Sequence, residues 1–268
     1  MLKIIADDLG LHKSVNDGII FLVKNNKIDG ASLMTSGEAF DDAIAQCLGA
    51  EPLNIGIHLV LVEEKSLSGI KLPKSHRLFF IKYILGLIKL SAIEKELRAQ
   101  LDKCIQSGIK PTFINSHQHL HLLPGIMNIV ISVAQEYRIP YIRIVNEIVF
   151  IPRSYYKYNS SLIKFILKFL RIGQLLVLKL LSGLAKKKIK NSGLKCNDFF
   201  IGFVNAGDLS DEDINRAKKL ANQYPNSVIE LGCHPGHESR ELREKYKWGR
   251  AYNWKKELDL LEFIDITL

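Results

Sequence analysis

Seven short apolar runs recur along this chain of 268 residues, and most are separated by stretches with helical periodicity. Because the runs show no apolar–polar alternation, we expect parallel strands that are buried on both faces. The predicted strands cover residues 2–6, 31–35, 53–56, 112–115, 140–145, 200–204 and 228–232. The predicted helices cover residues 14–28, 38–48, 93–107, 124–137, 210–223 and 254–264. This alternation predicts an α/β protein with a parallel barrel or a doubly wound sheet.

The composition is that of a globular protein that can bury a core, since 47% of the residues are hydrophobic and 24% are charged. The four cysteines are scattered and form no CxxC pair, so we expect neither a disulfide framework nor a thiolate zinc site. The apolar start is too short for a signal peptide. No stretch reaches the ~18 uncharged apolar residues that a transmembrane helix needs. A cytoplasmic protein is therefore expected.

Polar side chains lie at the ends of six predicted strands, and the remaining strand carries Arg143. They are Asp7 and Asp8, Thr35 and Ser36, His58, His117, Asn205 and His234. In parallel barrels the carboxyl ends of the strands form one rim, where catalytic groups lie. We therefore expect these side chains to converge.

Asp7 and Asp8 are adjacent carboxylates that follow a buried strand. One interpretation is that they cap the next helix. The other is a metal site, in which one carboxylate binds the ion and the second acts as a general base.

Histidines follow two further strands. His58 alone could be a satisfied core residue, but three histidines at spacing two, His117, His119 and His121, are hard to explain by packing. In an extended segment all three would share a face, whereas a turn would let His117 and His121 share one. Imidazole and carboxylate together suit Zn²⁺ and other divalent ions. His234 could protonate a departing amine, or it could be a turn residue before Pro235.

Five motifs occur in an order that resembles the YdjC-like carbohydrate deacetylases, also called the ChbG/HpnK family. They are ADDLG followed by Asn16, GIHLVL, NSHQHLHLLP, YIRI and CHPG, and they span residues 1 to about 240. The similarity is greatest to the hopanoid-associated HpnK branch. The stretches that carry it are GIHLVLVEEKSL, residues 77–99 and the basic region before Asp198.

The resemblance implies a distorted seven-stranded (β/α) barrel of the NodB-like, glycoside hydrolase–deacetylase type. It implies a single domain over residues 1–268, with a basic helical insert at about 153–195. The implied activity is hydrolysis of the N-acetyl amide of a sugar, with one divalent ion, Mg²⁺ or Zn²⁺. The substrate would be an oligosaccharide or a lipid-linked sugar, such as a glycosylated hopanoid.

The resemblance also implies a role for each site residue. Asp8, His58 and His117 would bind the metal. Asp7 would be the general base, and His234 the candidate general acid. Asn115, His119, His121 and Arg143 would support the site or touch the substrate. Asn115 stands where chitooligosaccharide-acting members have Asp, which keeps the hydrogen bonding but removes a charge and makes a chitooligosaccharide a weaker expectation.

The basic charge is concentrated in one segment. No acidic residue lies between Glu147 and Asp198, where there are 11 Lys and Arg, and without this segment the formal charge of +9 becomes −2. Distributed nucleic-acid binding predicts a different pattern. Within residues 161–190, a cationic stripe is predicted on one helix, formed by Lys164, Lys168, Arg171, Lys179 and Lys186.

Such a helix can lie on an anionic membrane surface, here at the inner membrane. Residues 65–93, with six Lys and Arg and no acidic residue, form a second basic region. The alternatives are a lid over the barrel or an interface in a homodimer.

Two other functions compete with amide hydrolysis. A metal-dependent phosphatase or isomerase is compatible with a barrel, although the absence of a GxxxxGK[ST] phosphate loop disfavours nucleotide chemistry. The sequence also has no GxSxG elbow, which argues against a serine hydrolase. A catalytically inactive glycan- or glycolipid-binding protein is the non-enzymatic alternative. The presence of Asp7, Asp8, His58 and His117 together argues against a lost site.

Overall fold

One parallel β-sheet organises the computed structural model, which describes residues 1–48, 54–148, 162–247, 249 and 252–264, with only the backbone of 162–169. Its strands are β1 (Leu2–Leu9), β2 (Gly30–Leu33), β3 (Ile55–Leu59), β4 (Ile114–Ser116), β5 (Phe199–Ile201) and β6 (Ile229–Cys233). The order across the sheet is β4-β3-β2-β1-β6-β5. All neighbouring pairs are parallel, so the predicted α/β class is confirmed.

The described residues contain six strands rather than seven, because the predicted strand over 140–145 forms no regular ladder. Arg143 donates its backbone N–H to the carbonyl of Ile114 in β4 (2.9 Å). The next N–H, that of Ile144, bonds to the Asn197 side chain instead (2.8 Å). Some backbone N–H groups of this segment therefore bond to side chains instead of to a neighbouring strand, and only isolated β-bridges remain.

This irregular segment nevertheless contacts both edges of the sheet. It bonds to β4 at Ile114, and at its other end Phe200 of β5 donates its N–H to the carbonyl of Asn146 (3.1 Å). The two edge strands, which do not pair with each other, are thus linked through residues 140–146. The link places Arg143 beneath the carboxyl ends of the strands.

Helices cover the sheet, and those predicted are found within a few residues of the expected bounds. They are α1 (Lys13–Lys24), α2 (Phe40–Leu48), α3 (His76–Ile84), α4 (Leu90–Gln106), α5 (Pro124–Glu136), α6 (Leu162–Asn191), α7 (Asp211–Gln223), α8 (Arg240–Lys245) and α9 (Trp254–Phe263). Ser210 caps α7, and Asp213 accepts a bond from its backbone N–H (3.0 Å). The sequence did not predict α3 or α8.

In the long helix α6, the residues of the predicted cationic stripe do not all face solvent. Arg171 donates to the carbonyls of Val204 and Ala206 (3.2 Å each), and Lys186 pairs with Asp198 (2.8 Å). Two stripe residues are therefore used within the protein, because they border the buried face of the helix and find oxygen partners there. The side chains of Lys164 and Lys168 lie outside the described residues, as do residues 149–161 at the start of the predicted insert.

The exposed face of α6 is instead rich in apolar side chains. Its exposed members are Leu170, Leu176, Val177, Leu180 and Leu184. None of the described helices, α6 included, has the length and apolar character needed to cross a bilayer.

Candidate active site

A local irregularity in β1 brings two adjacent carboxylates to one site. Side chains of a regular strand alternate between faces, but the pairing of β1 with β2 shifts register between Ala6 and Leu9. Asp8 has a φ of 67°, in the left-handed region that is uncommon for a residue other than glycine. Such a bulge re-aims a side chain. As a result, both carboxylates approach His58, Asp7 at 3.9 Å and Asp8 at 3.2 Å.

Asp8, His58 and His117 form a buried cluster. Asp8 Oδ1 lies 3.2 Å from both His58 Nε2 and His117 Nδ1, and one ligand atom from each residue lies within 4.8 Å of the others. The second oxygen, Asp8 Oδ2, is buried with no hydrogen-bond partner among the described residues. Two imidazoles and a carboxylate with an unused buried oxygen fit a divalent cation.

The ring of His58 is fixed by neutral partners. Asn115 donates its amide N–H to Asp7 Oδ1 (2.9 Å), and this bond orients its oxygen toward His58 Nδ1 (2.7 Å). The oxygen can only accept, so Nδ1 carries a hydrogen, and Nε2 is the ring nitrogen that faces Asp8. Asn115 therefore supports both the candidate ligand and the candidate base. Asp at this position would place a second carboxylate against Asp7.

Asp7 is held as a carboxylate by its surroundings. Ser32 (2.7 Å) and Asn115 donate to Oδ1, and Arg143 pairs with Oδ2. Burial alone raises the pKa of Asp7, but Arg143 and His58 outweigh it and hold the pKa well below its usual value. Arg143, itself completely buried, also pairs with Glu230.

The three histidines of the HQHLH stretch have different places, because the chain turns tightly after β4. Residues His117–Leu122 form a 3₁₀ helix in which Gln118 and His119 have φ values of 56° and 54°. Only His117 joins the cluster. His121 is turned away, donates from Nε2 to the carbonyl of Arg143 (2.8 Å) and supports the link between the sheet edges. His119 lies against the ring of Phe203, with centroids 5.5 Å apart.

The pKa values of these histidines reflect their different neighbours. Burial lowers the pKa of His117, but Asp8 and Glu63 outweigh it and raise the pKa to about 10. His117 thus holds a proton that a bound cation would replace. Burial lowers the pKa of His121 to about 4 and that of His119 well below its usual value.

His234 directly follows β6 and lines the same side of the sheet as His58 and His117, because all three border one cavity. Its backbone N–H bonds to Glu257 (2.6 Å), and its ring packs edge-on against Tyr252 with centroids 4.9 Å apart. Nδ1 is buried and has no hydrogen-bond partner within the described part of the chain. Burial lowers the pKa of His234, so the ring is neutral at pH 7.

The sequence interpretation missed several residues of the site. Ser32 and Glu230 are polar residues inside buried strands, which is itself a signal of a paired function. Glu63 follows β3, its side chain is only 5% exposed, and its Oε2 lies 3.0 Å from His117 Nε2. Burial raises its pKa, but His117 and His76 lower the pKa to about 2.

Two of the three candidate ligands, His58 and His117, line a cavity of about 160 Å³. It is lined by Asp7, His58, His76, Ser116, His117, Gln118, His119, Arg171, Gln174, Phe203, Ala206, His234 and Tyr252. Thr35, Ser36 and Asn205 were expected at the same rim but do not line it. The Asn205 amide donates to Asp213 of α7 instead (2.6 Å).

The fold and the site define an α/β protein with a buried carboxylate–histidine centre at the carboxyl end of a parallel sheet. The chain belongs to the family of YdjC-like proteins, whose family model matches residues 1–263.

Curated relatives of this chain are named for an enzymatic activity. The chain is 34% identical over 146 residues to a carbohydrate deacetylase of Brevibacillus brevis, covering 50% of this chain and 56% of that protein. It is 37% identical over 143 residues to a chitooligosaccharide deacetylase of Escherichia fergusonii, covering 51% and 56%. The chain thus spans about half the length of the curated relatives it matches. The resemblance to the HpnK branch stays a prediction.

The fold is also that of a crystallised protein from Enterococcus faecalis to which cleavage of cellobiose phosphate has been ascribed. The TM-score is 0.71 at 20% identity, over 97% of this chain and 89% of that one.

Proposed function

We propose that this chain is a metal-dependent deacetylase that hydrolyses the N-acetyl amide of a sugar. The observation that carries the proposal is the buried Asp8–His58–His117 cluster with a second, ionised carboxylate, Asp7, beside it. The relatives named as carbohydrate and chitooligosaccharide deacetylases support it.

Asp8, His58 and His117 would hold one divalent ion, Mg²⁺ or Zn²⁺. When bound, such an ion supplies polarisation of the acetamide carbonyl and activation of water. Asp7 is the proposed base. It lines the cavity, and Arg143 keeps it ionised and therefore able to accept a proton from water.

His234 is the proposed acid for the departing amine. It lines the same cavity as Asp7, and its Nδ1 has no hydrogen-bond partner among the described residues. Because the ring is neutral at pH 7, it has to gain a proton before it can donate one. The rings of His119, Phe203 and Tyr252 form apolar walls for the sugar, and Arg171 and Gln174 offer donors to its hydroxyls.

The test is acetate release from N-acetylglucosamine-containing oligosaccharides and glycolipids. Asp7→Asn should lower the rate by about 10²–10⁴-fold, the usual contribution of a general base. Asp17→Asn, at a partly exposed position in α1, is the matched control and should leave the rate unchanged. Glycan binding that survives EDTA without any acetate release contradicts the proposal and favours an inactive glycan-binding protein.

We further propose that the sugar is carried on a lipid. The cavity is lined on one side by His76, the first residue of α3, and on another by Arg171 and Gln174 of α6. Both helices expose apolar side chains. In α3 and the segment after it, these are Leu78, Phe80, Ile81, Ile84, Leu85, Leu87 and Leu90. Exposed apolar patches mark interaction surfaces.

The charge around these surfaces favours an anionic bilayer as the partner. Residues 65–93 contain six Lys and Arg and no acidic residue, and the segment between Glu147 and Asp198 contains 11 and none. Apolar side chains bordered by lysines suit the boundary of anionic headgroups and acyl chains. The proposed location is the cytoplasmic surface of the inner membrane.

Flotation with vesicles rich in phosphatidylglycerol tests the membrane contact. The paired variants Phe80→Ser with Ile81→Ser, and Leu180→Ser with Leu184→Ser, should each reduce flotation, whereas Phe263→Ser in α9, at an 81% exposed position, should not. No flotation, together with a dimer that the same variants dissociate, would assign the surfaces to a homodimer instead. Lipids from cells with and without the protein should differ by the mass of one acetyl group.

A further inference from the structure

Glu63 faces the ring nitrogen of His117 that is turned away from Asp8. His117 Nδ1 lies 3.2 Å from Asp8 Oδ1, within the candidate ligand cluster. On the opposite edge of the ring, Nε2 lies 3.0 Å from Glu63 Oε2. A carboxylate oxygen at this distance accepts a hydrogen bond, so Nε2 carries a hydrogen toward Glu63. Nδ1 is then the nitrogen available to a cation.

The surroundings hold Glu63 in this position. It has a φ of 72°, a strained conformation that persists only where neighbouring structure enforces it. Its backbone N–H bonds to the carbonyl of Pro73 (3.0 Å). Farther along the same loop, the Glu96 carboxylate accepts bonds from the backbone N–H groups of Leu67 and Ser68 (3.0 and 2.8 Å). The carboxylate is therefore placed by a braced loop.

We propose that Glu63 is a positioning residue that fixes the tautomer and orientation of His117 for metal binding. The inference rests on the metal site of the proposed function. It adds a charged partner for one histidine, whereas His58 has the neutral Asn115 at the equivalent place. A carboxylate that accepts from a ligating imidazole raises its basicity and orients its ring.

The test is the affinity of the purified full chain for Zn²⁺ alone, measured by calorimetry without any sugar. Glu63→Ala should weaken binding by about 10–100-fold, as removal of such partners does elsewhere. Glu63→Gln keeps an acceptor oxygen without the charge and should recover part of that loss. Glu94→Gln, at a partly exposed position in α4, is the matched control and should bind as the wild type does.

The visible spectrum of the Co²⁺-substituted protein is the second readout, because it reports ligand geometry. The spectrum should change in Glu63→Ala and be restored in Glu63→Gln, while a general loss of folding would alter the far-ultraviolet circular dichroism of the metal-free protein as well. Wild-type affinity and spectrum in Glu63→Ala, with binding lost in His58→Ala, would overturn the role of Glu63 and leave the metal site standing. Metal binding without acetate release would overturn the deacetylase and leave Glu63 its role.

Discussion

Removal of the buried charge of Arg143 should destabilise the folded protein by several kcal/mol. Its guanidinium is completely buried and pairs with Asp7 and Glu230, which are also buried. Arg143→Met keeps much of the side-chain volume but leaves two buried carboxylates without their cation. Breaking a buried pair from one side costs about 3–5 kcal/mol. That is a large part of the ~5–15 kcal/mol by which a domain is stable.

The loss should grow as the pH rises. In the wild type Arg143 holds the pKa of Asp7 below the unfolded value, so this carboxylate adds stability above that value and loses it on acidification. In Arg143→Met, burial dominates and raises the pKa of Asp7. The folded variant then keeps a proton that the unfolded chain releases near pH ~3.9, and its stability falls with rising pH.

Urea unfolding of the metal-free protein, followed by circular dichroism at about pH 5 and about pH 8, measures both effects. Arg98→Met is the control, because Arg98 pairs with Glu94 and Glu136 at partly exposed positions and should cost only ~0–1 kcal/mol. A cost for Arg143→Met that matches this control, or that is the same at both pH values, would refute the reasoning.

Three further predictions concern the backbone, the acid and the metal. Gly202→Ala should lower stability by about 1–3 kcal/mol, because φ is +120° and an added Cβ would clash with the Gly232 carbonyl oxygen. Gly183→Ala, which has open space around it, should not lower stability. Equal melting temperatures of the two variants would contradict the prediction. The pKa of His234 is lowered from 6.5, so kcat/KM should fall about tenfold per pH unit above that pKa. The same fall of kcat/KM with pH in His234→Ala would exclude His234 as the acid. Zn²⁺ at about 100 times its Kd should stabilise the wild type by about 2.7 kcal/mol in thermal unfolding and leave His58→Ala unchanged, while an equal shift in both would contradict the ligand assignment.

Much of the fold and part of the site could be predicted because they depend on local patterns. Short apolar runs gave the six strands, and the parallel arrangement put Asp7, His58, His117 and His234 at one rim. The strand over 140–145 was predicted wrongly, since its hydrogen bonds go partly to side chains such as Asn197. Local apolar character does not show where a backbone N–H will find its acceptor.

Several residues that act through long-range partners were not predicted. Glu230 lies 87 positions from Arg143, and Glu63 reaches His117 only because its loop folds back in a left-handed conformation. Arg171 was assigned to a cationic stripe by helical spacing, yet it bonds to the carbonyls of Val204 and Ala206 and lines the cavity. Spacing fixes which residues share a helix face, but not which face the rest of the chain covers.

By itself, the sequence determined that Asp7 and Asp8 lie at the carboxyl end of a buried strand and that histidines lie at the ends of others, because apolar burial along a strand is a local property. Only the tertiary structure decided that a bulge and a positive φ bring both carboxylates to one site. It also decided that a tight turn sends His117 to Asp8, and His121 to the carbonyl of Arg143. The physical reason is that a side chain's partner, and hence its charge and tautomer, depends on distant segments that pack against it.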